Sequence, residues 1–320
     1  MTFAGHEEAW HEWRDALAGA RMHHGWILAG RKGLGKAGFA LAAARELVTE
    51  PGIPQPPGNH PDIIVLTHLP ASADEETKKA EGKPYQVKRS IGIAQIREMQ
   101  QRLITRPTLG SRRAIVIDPA DDLEKPAANA LLKSLEEPPA GSFFLLVSHR
   151  PGRLLATIRS RCRMLRFPEL PDAEVDAVLR RHVPQADDAT RAAAVAAAAG
   201  SPGAALDFVA HDLGPLHGLM RHIAQTGDAG FTLRGELAEA IGQRPDRERV
   251  LATLDLARAV LAGEMRQAAH ARLPRIVEAH GEIVRLAGQA PTYNFDPALL
   301  IMEIGTLLAS AAVDREPSYG

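Results

Sequence analysis

Phosphate chemistry is written into Gly30-Arg-Lys-Gly-Leu-Gly-Lys36-Ala37, a G-x-x-x-x-G-K run. In such a run glycines free consecutive backbone N–H groups to curl around phosphate oxygens at a helix N-terminus, and the lysine adds a point charge. Gly30, Gly33, Gly35 and Lys36 are therefore the candidate nucleotide-phosphate residues. The next position usually carries a Ser or Thr hydroxyl that ligates Mg²⁺, and Ala37 offers only a methyl group. Asp118 ends the apolar run Ala114–Asp118, where a carboxylate in phosphoryl-transfer proteins holds the Mg²⁺ shell. It would serve equally as a strand-end group capping a turn. Catalysis usually needs a second acid beside it, but the neighbour is Pro119, with Asp121 and Asp122 further on. Ser148, after the run Phe143–Val147, either touches a phosphate or, more ordinarily, caps a turn.

Arg159, Arg161, Arg163 and Arg166 crowd together around Cys162. Alternating arginines are most often a solvated strand face. An arginine on a loop between helix and strand can instead reach a neighbouring subunit and stabilise transition-state charge. Cys162 reads as a small buried apolar residue. His23 and His24 are adjacent, and alternation along an extended chain argues against their sharing a metal. Lys88, Arg89, Arg102, Arg106, Arg112 and Arg113 are scattered and read as an ordinary solvated surface rather than a DNA path.

These residues need a frame. Residues 25–29, 62–66, 114–118, 143–147 and 163–167 are short apolar runs of buried-strand type, and helical spacing fills the intervals at 6–21, 36–48, 91–105, 125–137 and 152–158. Trp10, Trp13, Leu17 and Ala20 share one face of the first helix. Strands alternating with helices predict a parallel sheet covered on both faces. Residues 50–61 are too rich in Pro and Gly for helix or central strand. Residues 67–90 read as an exposed loop. After Pro168 no strong strand remains: 172–182, 187–199 and 202–210 read as short helices, with longer ones such as 247–268 and 273–287 beyond. The fold class is thus α/β followed by all-α.

A formal net charge of −1 gives no global basic field for nucleic acid, so any DNA contact must be local or shared with other chains. One cysteine excludes an intramolecular disulfide and a cysteine-based zinc module, and fits a reducing cytoplasm. The first residues lack a signal-peptide pattern, and no apolar run is long enough to span a membrane.

The blocks HHGWILAGRKGLGKAGFALAAARELV, AIVIDPADDLEKPAANALLKSLEEPP, FFLLVSHRPGRLLATIRSRCRMLRF and GSPGAAL, in this order, resemble bacterial clamp-loader AAA+ subunits. The pairing of NALLKSLEEPP at 129–139 with SRC at 160–162 carries most of the specificity. The likeness spans residues 22–207, and beyond it only helical character and length agree. It implies a P-loop AAA+ parallel-sheet domain at 1–168, a small helical lid at 169–209 and a C-terminal helical collar for oligomerisation at 210–320. It implies a place in a five-subunit ring that opens the sliding clamp and sets it on primed DNA, beside gamma/tau-like motor subunits and a delta-like subunit. It implies that Arg161 is the trans-acting arginine finger for the ATP site of the adjacent motor subunit.

The departures from the family pattern agree with one another. Ala37 replaces the Mg²⁺-binding hydroxyl, Pro119 replaces the catalytic acid of the motor subunits, and Gly203 stands where those subunits carry a phosphate-sensing arginine. Related subunits also carry a four-cysteine zinc module where this chain has its Pro-rich 50–61 stretch, so no zinc is expected. The leading expectation is a subunit with no required cofactor, holding ATP or ADP without competent hydrolysis and giving Arg161 to a neighbour. An active motor, resting on Lys36 and Asp118, is the alternative. A small-molecule kinase lacks support, since the helical tail offers no acceptor pocket.

Overall fold

In the computed structural model, which describes residues 5–19, 22–242, 245–290 and 295–312, the chain divides into two compact units, Met1–Glu169 and Leu170–Gly320. In the first unit the apolar runs become five strands: β1 (Gly25–Ala29), β2 (Ile63–Leu66), β3 (Arg113–Ile117), β4 (Ser142–Ser148) and β5 (Arg163–Arg166). All pair in parallel, in the order β2-β3-β4-β1-β5. The helices are α1 (Glu7–Ala18), α2 (Lys36–Val48), α3 (Ala73–Ala80), α4 (Ile93–Leu103), α5 (Lys125–Glu136) and α6 (Ala156–Arg159). Ala20, expected on the first helix, lies outside the described residues.

The strands are apolar on both sides because both faces are covered. Trp26, Leu28, Val116 and Leu145 join Trp13 of α1 and Phe39, Ala40 and Leu47 of α2 in one core. Their neighbours Ile27, Ile115, Ile117 and Leu146 point the other way, into a core with Ile96 and Met99 of α4 and Leu131 and Leu135 of α5. The parallel pairing brings the C-terminal ends of β1, β3 and β4 to one edge of the sheet, where open α/β sheets bind ligands.

Residues 67–90 are not simply a loop. Ser72 caps α3, its hydroxyl accepting from the Glu75 N–H at 3.4 Å, and Pro70 and Val87 form an isolated antiparallel bridge. No residue of α3 is buried, so hydrophobic periodicity carried no sign of it. Two carboxylates anchor the neighbouring turns. Buried Asp62 accepts from the N–H groups of Thr108 and Leu109, at 2.6 and 2.8 Å, and Glu50 accepts from the Ser111 N–H at 2.7 Å. Arg113 is buried rather than solvated. It donates to the carbonyls of Arg102 in the last turn of α4 and of Thr105 and Arg106 just beyond it, and lies 3.7 Å from Asp62.

The second unit is helical among its described residues: α7 (Asp172–His182), α8 (Asp188–Ala198), α9 (Pro202–Ala210), α10 (Gly214–Thr226), α11 (Thr232–Ile241), α12 (Arg247–Gln267), α13 (Leu273–Gln289) and α14 (Pro297–Ser310). One hydrophobic core runs from Leu170 and Val175 through Phe208 and Leu216 to Leu308 and Ala311, crossing residue 209 without a break. Ion pairs Arg234–Asp228, at 3.0 Å, and Arg272–Glu264, at 3.0 Å, link its helices and loops. No helix among the described residues is long and apolar enough to cross a membrane.

Candidate nucleotide site and arginine loop

The glycine run is the turn between β1 and α2. Gly33 and Gly35 have φ of +84° and +78°, a region that costs a residue with a Cβ about 1 kcal/mol or more. Gly30 is needed for a different reason: a Cβ there would sit 2.4 Å from the Phe167 carbonyl oxygen. Lys36 opens α2 and is only 2% exposed. Its ammonium folds back onto the loop, donating to the carbonyls of Gly30 at 2.7 Å and Arg31 at 2.5 Å. Burial lowers its pKa to about 8, with Asp118 and Asp121 pulling the other way.

Asp118 follows β3, its N–H still bonded to the Leu66 carbonyl at 2.9 Å. Burial raises its pKa, and the positive charge of Lys36 opposes that shift. The structure thus brings Gly30, Gly33, Gly35, Lys36 and Asp118 together. Asp118 and Lys36 interact electrostatically across the end of the sheet.

Asp121 is the residue that sequence reasoning underrated. A 3₁₀ turn at Ala120–Asp122 swings its carboxylate onto the end of β4. There it accepts from the Ser148 hydroxyl at 2.7 Å and from the N–H groups of His149 at 2.5 Å and Arg150 at 3.3 Å. Ser148 is fully buried and spends its proton on Asp121. Three donors therefore already occupy this carboxylate. The neighbouring His149 was not foreseen either. Burial first, and Lys36 next, lower its pKa to about 4, so its imidazole is neutral at physiological pH.

The residues fit phosphate better than they fit Mg²⁺. Loop amides at the α2 N-terminus and the Lys36 ammonium suit an anion. Ala37 supplies no hydroxyl, Pro119 no carboxylate, and Asp121 is engaged. Among the described residues no three His, Cys, Asp or Glu side chains cluster as a metal site.

The four arginines have four different situations. Arg159 donates to the carbonyls of Leu154, Gly152 and Pro151, fixing the turn before α6. Arg163 pairs with Glu12 at 2.9 Å and lies 5.1 Å over the Trp26 ring. Arg166 is exposed on the edge strand. Arg161 stands on the loop between α6 and β5, half exposed, 2.7 Å from Glu136. Cys162 packs against the sheet core, and burial pushes its thiol up to about 12.

The two histidines before β1 correct the alternation argument. A bend at His24 breaks the extended chain, so the rings of His23 and His24 stack 4.8 Å apart. His24 Nε2 lies 2.9 Å from the Leu135 carbonyl, tying the start of β1 to α5.

Sheet order, phosphate loop and strand-end carboxylate define an α/β domain of the P-loop class. The family described as DNA polymerase III, delta subunit matches residues 5–171, and the chain belongs to that family. Among relatives, DNA polymerase III subunit delta' of Escherichia coli is 34% identical over 202 residues, 58% of this chain and 54% of that protein. DNA polymerase III subunit gamma/tau of Mycobacterium tuberculosis is 31% identical over 193 residues, 58% of this chain and 32% of that protein. The chain spans about half the length of the delta' relative it matches. A solved gamma subunit-related protein from Thermotoga maritima superposes with a TM-score of 0.49 at 19% identity, covering 95% of this chain and 99% of that one.

Proposed function

We propose that this chain is a delta-prime-like clamp-loader subunit that keeps a nucleotide-binding fold, hydrolyses little or no ATP itself and donates Arg161 to the ATP site of a neighbouring motor subunit. The observation that carries this reading is the pairing of an available arginine with a disarmed pocket. Arg161 sits half exposed on a loop, while Ala37 offers no hydroxyl ligand, Pro119 no second acid, and Asp121 is occupied by three donors. Gly203, near the start of α9, adds no cation. The relatives named delta' and gamma/tau support a place in DNA polymerase III.

In this proposal α7–α9 form the lid and α10–α14 the collar that meets gamma/tau-like and delta-like subunits. The assembled ring then acts on the sliding clamp and primed DNA. ATP or ADP would rest on the loop amides and Lys36 without turnover, and no zinc is required, since Asp62 and Glu50 anchor the turns around residues 50–61.

A second reading, an active motor, draws on the retained Lys36 and its electrostatic contact with Asp118. ATP hydrolysis by the purified chain decides between them. The proposal expects no Mg²⁺-dependent turnover above background. Robust turnover abolished by Lys36→Ala would establish the motor.

A further inference from the structure

We propose that Glu136 is a positioning residue for Arg161: it holds the guanidinium at the surface and releases it when the phosphates of a neighbour's nucleotide arrive. This rests on reading Arg161 as a trans finger.

The backbone under Arg161 is fixed. Its N–H donates to the Ile158 carbonyl at 3.1 Å, and its own carbonyl packs so close to Gly25 that a Cβ there would lie 3.1 Å away. Cys162, next in the chain, is seated against the sheet core. The side chain is what can move. Its Nη2 meets Glu136 Oε1 at 2.7 Å, and its Nη1 donates to the Thr157 carbonyl at 3.0 Å and the Ser160 hydroxyl at 3.3 Å.

Glu136 is the last residue of α5, whose final turn is tied to His24 through the Leu135 carbonyl. A helix C-terminus carries partial negative charge, so carboxylate and helix end together favour a cation there. The hold is nevertheless weak. The two side chains are 34% and 48% exposed, and pairs this wet contribute little. Arg159 is tied to three carbonyls of its own turn, and Arg163 is turned toward Glu12 and the Trp26 face. The Arg161–Glu136 pair is a contact that a polyphosphate can displace. A nucleotide's phosphates offer bidentate acceptors with more charge than one carboxylate.

The contact must break before the finger engages, so its cost falls equally on the bound ground state and the transition state. A uniform cost of this kind appears in KM and not in kcat. The test is steady-state ATP hydrolysis by the reconstituted complex with motor subunits, across ATP concentrations, carrying this chain as wild type, Glu136→Gln, Glu136→Asp, Arg161→Ala or the Glu136→Gln/Arg161→Ala pair. Glu136→Gln is expected to lower the KM for ATP about two- to fivefold at unchanged kcat. That difference should shrink as salt screens the wild-type pair. Glu136→Asp, which keeps the carboxylate, should move KM back toward wild type, and the double variant should match Arg161→Ala alone. An unchanged KM, or a fall in kcat, for Glu136→Gln overturns the role of Glu136. If Arg161→Ala still abolishes stimulation in that case, the finger reading stands. Full turnover with Arg161→Ala removes both.

Discussion

Lys36 makes the sharpest stability prediction. The residue is 2% exposed, and burial outweighs the pull of Asp118 and Asp121, lowering its pKa from the usual 10.5 to about 8. Between pH 8 and 10.5 the unfolded chain therefore binds more protons than the folded one, so stability rises with pH through this window. One pKa unit is about 1.4 kcal/mol. The folded state at neutral pH thus bears a cost on the order of 3 kcal/mol, of which about 2 kcal/mol is relieved by pH 10. Lys36→Met removes the titrating group and keeps most of the volume. Trp10, Trp13 and Trp26 are the chain's only tryptophans and all belong to the first unit, so urea unfolding followed by their fluorescence reports that unit. From about pH 7.5 to 10, wild type should gain about 2 kcal/mol relative to Lys36→Met, other lysines and tyrosines contributing equally to both. Parallel curves for the two proteins would refute the buried ammonium.

Two further variants probe the carboxylates that organise the site and its surroundings. Asp121→Ala strands the buried Ser148 hydroxyl and the His149 N–H, and should cost about 2–4 kcal/mol in the same fluorescence assay. A loss below about 0.5 kcal/mol would mean that Asp121 does not anchor β4. Asp62→Ala leaves buried Arg113 without its counter-charge and frees the Thr108 and Leu109 N–H groups, for an expected cost of about 3–5 kcal/mol. Asp62→Asn also removes the charge but keeps one acceptor oxygen, so a milder loss there would assign the difference to the hydrogen bonds, and equal losses would make the charge the cause.

The strands were legible because a sheet buried on both faces writes itself as unbroken apolar runs, as in Gly25–Ala29 and the stretch 143–147 within β4. The phosphate loop was legible because its glycines and lysine are constrained by backbone shape and charge at fixed spacing. Other features depend on where the chain turns in space. Asp121 gains its role only because a short turn carries it to the end of β4, a contact between residues far apart in sequence. The meeting of Glu136 with Arg161 likewise follows from the packing of α5 beside the α6–β5 loop. Helix α3 went unseen because it buries nothing. Arg113 looked like a surface cation because composition cannot show that three carbonyls around the end of α4 await it.

The account's central claim is that this chain gives its chemistry to a neighbour through Arg161. The most direct measurement is DNA-stimulated ATP hydrolysis by a reconstituted complex holding one copy of this chain, wild type against Arg161→Ala, with assembly checked by native mass spectrometry. A trans arginine finger is worth about 10³-fold or more in turnover at the site it serves. The account predicts an intact complex in which the neighbouring site loses turnover on that scale. An intact complex that hydrolyses ATP and loads clamps at the wild-type rate would contradict it.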